Sequence, residues 1–216
     1  MFNHAPDEKP HRGGLSPFFV KLARKGRETR VAAETVFIRE HEHGDDLYFI
    51  EEGQVRVFST GEDGAQVIFG DFGPGYYVGE MSLETHRRSA SVMALTPVLV
   101  SVVSREMVLA DIRSKPEHAL ELIFEVTRRA RETTENLKSL ALLDVYRRLT
   151  RLIEGMVGHP AVPAIIPQFP SPAEIAQRIA ASEHAVAYFI EDLERDGHIE
   201  RKDGSLILRR KLPVHW

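Results

Sequence analysis

The feature that most constrains this chain is an uninterrupted helical stretch, PEHALELIFEVTRRARETTENLKSLALL, from Pro116 to Leu143. Proline suits the first turn of a helix. Neither glycine nor another proline follows for about seven turns, which predicts a single helix about 40 Å long. A helix of this length is stable in water mainly through packing of its apolar side. The rest of the chain is therefore expected to be organised around this element and whatever covers it.

Small and apolar residues follow a seven-residue repeat along this helix. Two sets of positions make up the stripe, Leu120, Thr127, Thr134 and Ala141, and then Ile123, Ala130 and Leu137. Charged residues flank the stripe, and a seam this narrow suits one partner helix better than a broad core. We therefore predict a symmetric homodimer through this helix. A long core helix within a monomer is the alternative.

Composition narrows the chemistry that the chain can support. Its 216 residues carry a formal net charge of −4, so any nucleic-acid surface has to be local. Cysteine is absent, which excludes disulfides, thiolate-held iron–sulfur clusters and cysteine-based zinc sites. The sequence contains no signal-peptide-like segment and no run of about 18 apolar residues. We expect a cytoplasmic protein with no membrane partner.

The residues before the long helix have the periodicity of β-structure. A polar segment over residues 1–14 precedes a short predicted helix that starts at Ser16-Pro17. From about Val31 to Val103, short alternating runs are separated by glycine-containing turns about every eight to twelve residues. This pattern is typical of a small antiparallel barrel, roll or sandwich. The chain is therefore predicted to be of the α+β class, with an N-terminal antiparallel β-roll.

The residues after the long helix contain the clearest helix signals. Asp144 can cap one helix, and Ser171 can cap a second, because proline follows it at once and glutamate three residues later. Ser182 can cap a third helix after a tight turn, which predicts a helix-turn-helix. Asp203-Gly204 between two strand-like runs predicts a hairpin. Together these signals indicate a winged helix-turn-helix.

One segment of the roll has the character of an anion site. Val78 to Leu83, VGEMSL, is followed after a loop by Arg88 and Ser89. Glycine permits close backbone approach, arginine offers a bidentate cationic fork, and serine adds a neutral donor. A solvated surface arginine is the alternative interpretation.

The order of these features resembles the cAMP receptor protein and Fnr superfamily of bacterial transcription regulators, over essentially all of residues 16–212. The residues that carry the resemblance are GDDLYFIEEGQVRV (44–57), VGEMSL with RSAS (78–91), RRARETTENLKSLALLDV (128–145) and SPAEIAQRIAASEHAV (171–186). It implies a cyclic-nucleotide-binding β-roll over residues 1–115, a dimerisation helix and hinge over 116–143, and a DNA-binding domain over 144–216. The implied protein is an effector-controlled regulator and not an enzyme.

The resemblance also implies an effector site. Gly79 and Glu80 match the pair that holds the ribose and cyclic phosphate in cAMP-binding members, and Arg88 and Ser89 match the pair that clamps the phosphate. cAMP is accordingly the expected effector, with no metal cofactor. The loop between the two pairs is somewhat shorter than usual in the family, so the nucleotide preference stays open.

Two hydroxyl residues of the long helix complete this expectation. Thr133 and Thr134 match the positions that meet the adenine in the same subunit and in the partner. Independently of the resemblance, Thr134 lies on the predicted seam and Thr133 lies beside it. Hydroxyls that merely tune the register of the seam are the alternative.

Double-stranded DNA is the partner implied for the C-terminal domain, and RNA polymerase is a further one. The expected DNA-contacting residues are Ser171, Ser182, Glu183, His184, Ala187, Tyr188, Arg201 and Lys202. Superfamily members usually have glutamate and arginine where this chain has His184 and Tyr188. From Ser171 to Trp216 there are seven Lys or Arg and eight Asp or Glu. We therefore expect a divergent target and weak or strongly salt-dependent binding.

Three other interpretations remain open. His41-Glu42-His43 with Asp46 is close to the first metal motif of cupins, although the spacing to the acid is too short for that motif. A sensor that has lost specific DNA recognition would act through protein contacts. A regulator of this family could also respond to another effector, such as cyclic di-GMP, or to none, and haem held by histidine is a less favoured case.

Overall fold

The computed structural model describes residues 17–157 and 162–213. The described chain divides into two compact units. One contains the residues up to Ser59 together with Ile68–Thr127, and the other contains Thr60–Val67 together with the residues from Arg128 onward. The elements are α1 (Pro17–Ala23), β1 (Arg27–Val31), β2 (Val36–Ile38), β3 (Leu47–Glu52), β4 (Val55–Thr60), β5 (Gln66–Phe72), β6 (Tyr77–Val78), α2 (Ser82–Thr85), β7 (Ser91–Ala94), β8 (Val98–Val103), α3 (Arg105–Ser114), α4 (His118–Leu142), α5 (Val145–Val157), β9 (Ala164–Ile166), α6 (Pro172–Ile179), α7 (Glu183–Arg195), β10 (Ile199–Lys202) and β11 (Ser205–Leu208).

Two antiparallel sheets form the roll that the alternating sequence predicts. One four-stranded sheet has the order β1-β8-β3-β6, and the other has the order β2-β7-β4-β5. Strand β8 is central to the first sheet, where Val100 lies opposite Thr29 on one side and Ile50 on the other. Its near-continuous burial fits a strand with neighbours on both edges. The predicted antiparallel β-roll is confirmed.

Aromatic side chains fix the first helix to the roll. The ring of Phe19 lies 4.7 Å from that of Tyr77 and 6.0 Å from that of Phe49, measured between centroids. All three side chains are buried. Aromatic contacts of this kind add stabilisation beyond their buried area. The short helix predicted at Ser16-Pro17 is present from Pro17.

A helix that the sequence analysis did not predict connects the roll to the long helix. Ser104 caps α3, because its side chain accepts a hydrogen bond from the Met107 N–H. Near the end of α3, the carboxylate of Asp111 accepts hydrogen bonds from Lys25 Nζ at 2.7 Å and from His118 Nδ1 at 2.6 Å. The His118 ring also lies 4.4 Å from the Phe18 ring. The first residue of α4 is therefore tied to both α1 and α3.

The long helix is continuous over 25 residues, from His118 to Leu142, so it begins two residues later than the sequence predicts. In the chain as described, none of its residues is buried. The large apolar side chains left exposed are Leu120, Ile123, Phe124, Val126, Leu137, Leu140 and Leu142. They include Leu120, Ile123 and Leu137 of the predicted seam and extend beyond it. A soluble monomer rarely leaves so many large apolar groups along one helix in contact with water.

The C-terminal elements form a separate core. Asp144 caps α5, because its Oδ1 accepts a hydrogen bond from the Arg147 N–H at 2.8 Å. Helices α6 and α7 pack against α5, and β10, β11 and β9 form a three-stranded antiparallel sheet. The strand β9 lies within a proline-rich stretch, residues 162–170, whose composition is typical of a connection and not of a strand. The turn Asp203-Gly204 has two positive φ angles, 49° and 73°, as the predicted hairpin requires.

Tyr146 joins the start of α5 to the last described residues. Its side chain is 3% exposed, its ring lies 5.4 Å from that of Phe189, and its hydroxyl donates to the Pro213 carbonyl at 2.9 Å. Burial, together with the nearby charges of Glu154 and Asp144, raises the pKa of this hydroxyl from 10.0 to about 12. The neutral phenol is therefore the form that the folded state stabilises.

This pKa shift predicts how Tyr146→Phe changes stability with pH. A raised folded-state pKa contributes stability fully below the unfolded value of 10.0, and that contribution is lost as pH rises towards about 12. We expect Tyr146→Phe to lower the unfolding free energy by about 1 kcal/mol at neutral pH. The difference from the original protein should shrink above pH 10.0. Denaturant titrations across this range measure it, and a pH-independent difference would contradict it.

Within residues 17–157 and 162–213, none of the helices combines the length and the apolar character needed to cross a membrane.

Candidate functional site

Gly79 is placed where only a glycine fits. Its φ angle is 95°, in the region that L side chains rarely adopt. A Cβ atom at this position would lie 2.7 Å from Arg88 Nη1 and 2.7 Å from the Asp46 carbonyl oxygen. Shortly after Gly79 the chain forms the short helix α2, which was not predicted from the sequence. The glycine therefore brings the backbone directly against the arginine.

Arg88 lies inside the roll and not on its surface. Its residue exposure is 7%, and Nη1 donates to the Asp46 carbonyl at 2.9 Å, to Ser82 Oγ at 2.8 Å and to the Gly79 carbonyl at 3.4 Å. Ser82 Oγ in turn donates to the Gly79 carbonyl at 2.7 Å. The alternative of a solvated surface arginine is therefore wrong. A buried charge held by several oxygens keeps a fixed position.

The remaining donors of Arg88 form one edge of its guanidinium group. Among side chains that the structure describes, no hydrogen bond is formed to Nη2 or Nε. The guanidinium carbon lies 5.5 Å from the centre of the Tyr48 ring. Burial raises the pKa of Tyr48, and the positive charge of Arg88 opposes that rise. Nη2 and Nε can therefore donate in parallel to two oxygens of one phosphate or carboxylate.

Glu80 and Ser89, the other two effector-site residues expected in the roll, lie beside this group. Glu80 directly follows Gly79 and is partly exposed. Ser89 is exposed, and its Oγ lies 3.4 Å from Met81 Sδ, a weak contact that a better acceptor could replace. The structure therefore brings Gly79, Arg88 and Ser82 into contact, with Glu80 and Ser89 adjoining them. The roles of Ser82 and of the Asp46 carbonyl were not predicted from the sequence.

Thr133 and Thr134 belong to the other unit of the chain, on the exposed surface of α4. Thr133 Oγ1 donates to the Arg129 carbonyl at 3.0 Å, and Thr134 Oγ1 donates to the Ala130 carbonyl at 2.9 Å. Hydroxyls bonded to their own helix in this way still have acceptor lone pairs. They can receive hydrogen bonds from donors outside the helix.

The helix-turn-helix has the geometry that its sequence predicts. Ser171 Oγ accepts from the Glu174 N–H at 3.2 Å, and Ser182 Oγ accepts from the Ala185 N–H at 3.2 Å. Ala180 between the helices has a φ of 49°, and its carbonyl accepts from Arg148 Nη1 at 3.3 Å. Both caps are therefore confirmed, and α5 holds the turn.

The side chains on the first turns of α7 agree with the exposure expected from the sequence. Glu183, His184 and Tyr188 are exposed, and Tyr188 retains 54% of its surface. Ala187 is partly exposed, whereas Val186 and Ile190 are buried. The candidate DNA-reading face is thus acidic and aromatic and carries no Lys or Arg over Glu183–Glu191.

Among Arg201 and Lys202 of β10 and Arg209, which directly follows β11, the two arginines are held in ion pairs. Arg201 bonds to Glu194, and Arg209 bonds to Glu200 through Nε at 2.9 Å and Nη2 at 2.6 Å.

A cavity of about 480 Å³ lies beside the hairpin, bounded by Phe169, Pro172, Ile190, Glu194, Arg201 and Gly204. A second cavity of about 300 Å³ lies by β1 and β8.

His41, Glu42 and His43 are exposed on the loop before β3. Throughout the described part of the chain, no group of three or more His, Asp or Glu side chains is placed to hold a metal ion.

Comparison with known proteins identifies related families and folds. The model of the cyclic nucleotide-binding domain matches residues 28–114. The CRP-like cAMP-activated global transcriptional regulator of Mycobacterium tuberculosis is 28% identical over 179 residues, covering 81% of this chain and 80% of that protein. The cAMP-activated global transcriptional regulator CRP of Salmonella typhimurium is 29% identical over 130 residues, 59% of this chain. That match spans 62% of the Salmonella protein.

Solved structures show the same fold. The global regulator CLP of Xanthomonas campestris, described as c-di-GMP responsive, superposes with a TM-score of 0.75 at 22% identity. The superposition covers 89% of this chain and 98% of that protein. At this level of identity the likeness concerns the fold alone, which has the predicted α+β architecture of a β-roll followed by a C-terminal helix-turn-helix.

Proposed function

Because the chain belongs to the Crp-Fnr superfamily of transcription regulators, we propose that it is a homodimer whose DNA binding is controlled by a cyclic nucleotide, cAMP first among them. In this proposal residues 1–115 bind the effector, 116–143 form the dimer helix and hinge, and 144–216 bind DNA. Its action is regulatory and not catalytic. RNA polymerase is a further partner of the DNA-bound form.

A single observation carries the effector assignment. Arg88 is buried and anchored by Nη1 to three oxygens, whereas Nη2 and Nε form no hydrogen bond within the described residues and lie beside Gly44, which has no side chain to cover them. A cyclic phosphate is a compact anion with two free oxygens, and a fixed guanidinium fork matches it. Glu80 and Ser89 would bind the ribose and phosphate, and Thr133 and Thr134 would meet the base.

The exposed face of α4 supports the homodimer. Ile123 and Leu137 occupy seam positions and are 54% and 65% exposed. A second copy of the same helix would cover them symmetrically. Burial of these side chains contributes about 25 cal/mol for each Å² removed from water.

The caps and packing of α6 and α7 support the DNA assignment. Ser171 and Ser182 orient the two helix N-termini, whose N–H groups can donate to phosphates. Glu183, His184, Ala187 and Tyr188 would face base edges. Without an arginine there, cytosine amino groups and thymine methyl groups are the expected targets of Glu183 and Tyr188.

Calorimetric titration of the full-length protein with cAMP tests the proposed function. We expect saturable binding at one or two sites per dimer, together with tighter binding to DNA fragments when cAMP is present. Selection of bound fragments from a DNA pool, with and without cAMP, measures the expected change in DNA binding. Absence of heat at several temperatures, with the DNA pool unaffected by cAMP, would contradict the proposal.

A second candidate effector is cyclic di-GMP, because the structural neighbour CLP is described as responsive to it. Such a ligand has two phosphates and two guanines, so a single fork at Arg88 would leave one phosphate to other groups. The same calorimetric titration with cyclic di-GMP discriminates between the two nucleotides. Absence of binding heat with cAMP, cyclic di-GMP and cGMP would favour a regulator that responds to a different effector.

A further inference from the structure

The cations of the hairpin β10–β11 occupy two different faces. Successive residues of a strand point to opposite sides, and Ile199, on the same face as Arg201, is buried. Arg201 lies opposite Leu206, which is also buried. Lys202 lies opposite Ser205, next to the Asp203-Gly204 turn, and points the other way. Arg201 and Lys202 are both exposed, but they project from opposite faces of the strand, and only Arg201 shares its face with the buried Ile199 and Leu206.

Arg201, on the face that carries Ile199 and Leu206, is held by a side chain of α7. Glu194, in the last turns of α7, accepts three hydrogen bonds from Arg201. Its Oε1 accepts from the main-chain N–H at 3.1 Å, and its Oε2 accepts from Nε at 3.1 Å and from Nη2 at 2.8 Å. A carboxylate that holds both backbone and guanidinium fixes the strand more firmly than an ordinary surface ion pair does.

We propose that Arg201 is a positioning residue, which fixes the hairpin on α7 through Glu194, and that Lys202 is the hairpin's phosphate-binding cation. The inference rests on the proposed DNA-binding function and gives different roles to Arg201 and Lys202, which were both expected to contact DNA. The Glu194–Arg201 pair is electrically neutral, so it releases no counterion when DNA binds. An arginine that left Glu194 for a phosphate would also leave that carboxylate close to the DNA backbone.

Lys202 is the hairpin cation with the geometry to meet a phosphate. It is exposed and sits at the turn, and within the described residues its ammonium group makes neither a hydrogen bond nor an ion pair. Arg209, which is also exposed, is engaged by Glu200. A flexible lysine at a hairpin tip suits a phosphate that needs a point charge without fixed geometry. The hairpin therefore contributes one phosphate contact.

The charge of Glu194 is retained over a wide pH range. The hydrogen bonds that Arg201 donates hold the pKa of the Glu194 carboxyl below its usual value. A lowered folded-state pKa means that this stabilisation is present above the usual glutamate pKa and is lost only in acid. The anchor is thus intact at the pH of any DNA-binding measurement.

The decisive experiment compares two variants of the full-length protein. E194Q/R201M removes the pair without changing net charge, and K202M removes one cation with a side chain of similar length. Binding to a mixed-sequence duplex is measured by fluorescence anisotropy in the presence of cAMP at several KCl concentrations. We expect K202M to make the slope of log K against log [KCl] shallower by about 0.9, and E194Q/R201M to leave the slope unchanged.

Affinity at one salt concentration and amide exchange in the free protein provide the second readout. E194Q/R201M is expected to bind about fivefold more weakly, because the hairpin is no longer fixed. Amides of β10 and β11 should exchange about tenfold faster in E194Q, whereas E191Q, which removes the same charge from the same helix, should leave them unchanged.

Two results would overturn the inference. A slope that falls in E194Q/R201M as it does in K202M would make Arg201 a phosphate ligand. Unchanged amide exchange in E194Q would remove the anchoring role of Glu194. A wild-type protein that binds no duplex at any salt concentration would instead contradict the proposed function and the role of Lys202, while the exchange experiment would still decide the role of Arg201.

Discussion

Arg88→Ala is expected to remove cyclic nucleotide binding and to destabilise the roll at the same time. The loss of the guanidinium fork should weaken binding by about 100-fold or more, as expected for a charged, bidentate contact. The Asp46 and Gly79 carbonyls and Ser82 would also lose their donor. We expect this to lower the unfolding free energy by about 2–4 kcal/mol. Calorimetry below the transition temperature and thermal unfolding measure the two effects separately.

Two further variants separate charge from geometry at this position. Arg87→Ala removes an equal charge from the neighbouring, exposed residue and should leave nucleotide affinity within about twofold. Arg88→Lys keeps the charge but cannot reproduce the fork, so we expect it to restore stability in part and affinity only slightly. A folded Arg88→Ala protein with unchanged affinity would contradict the assignment of Arg88 as the phosphate ligand.

Leu137→Glu is expected to convert the dimer into monomers at micromolar concentration. Leu137 is 65% exposed in the single chain and occupies a seam position, so a symmetric dimer would place two carboxylates against each other. Like charges that face each other across an apolar seam cost several kcal/mol. Sedimentation velocity across a concentration series measures the expected loss of the dimer.

The control for this variant is Asn136→Glu, which introduces the same group one residue earlier and outside the predicted seam. Asn136 is exposed, and we expect its replacement to leave the dimer intact. Equal dissociation of both variants would point to helix destabilisation and not to the seam. A dimer that persists in Leu137→Glu would show that α4 is not the interface.

Local chemistry explains which elements could be predicted from the sequence. Ser171, Ser182 and Asp144 each accept the N-terminal hydrogen bond that their residue type predicts. The Asp203-Gly204 turn also depends on backbone preferences of its own two residues. Signals of this kind depend on residues within three or four positions of one another, so they can be read without knowledge of the tertiary fold.

The elements that were missed depend on contacts between distant parts of the chain. The three-residue strand β9 exists through pairing with β11, where Ile166 lies opposite Leu206, and its prolines indicated a loop. Helix α3 is an exception, because the cap residue Ser104 is a local signal from which this helix could have been predicted. In the site, the residue type of Arg88 suggested a clamp, but its burial depends on the Asp46 carbonyl, 42 residues away in sequence. No local pattern indicates such a partner.

The break between α4 and α5 determines how responsive the proposed regulator can be. Only Leu143 and Asp144 separate the two helices, and Asp144 closes the break with one hydrogen bond of 2.8 Å to the Arg147 N–H. A cap of this kind is worth about 1 kcal/mol, which is about a fivefold ratio of populations. An effector that binds one arrangement of the break only several-fold more tightly than another could therefore change which arrangement predominates. In the proposed regulator, a bias of this size would also leave a basal population of the active form when no effector is bound.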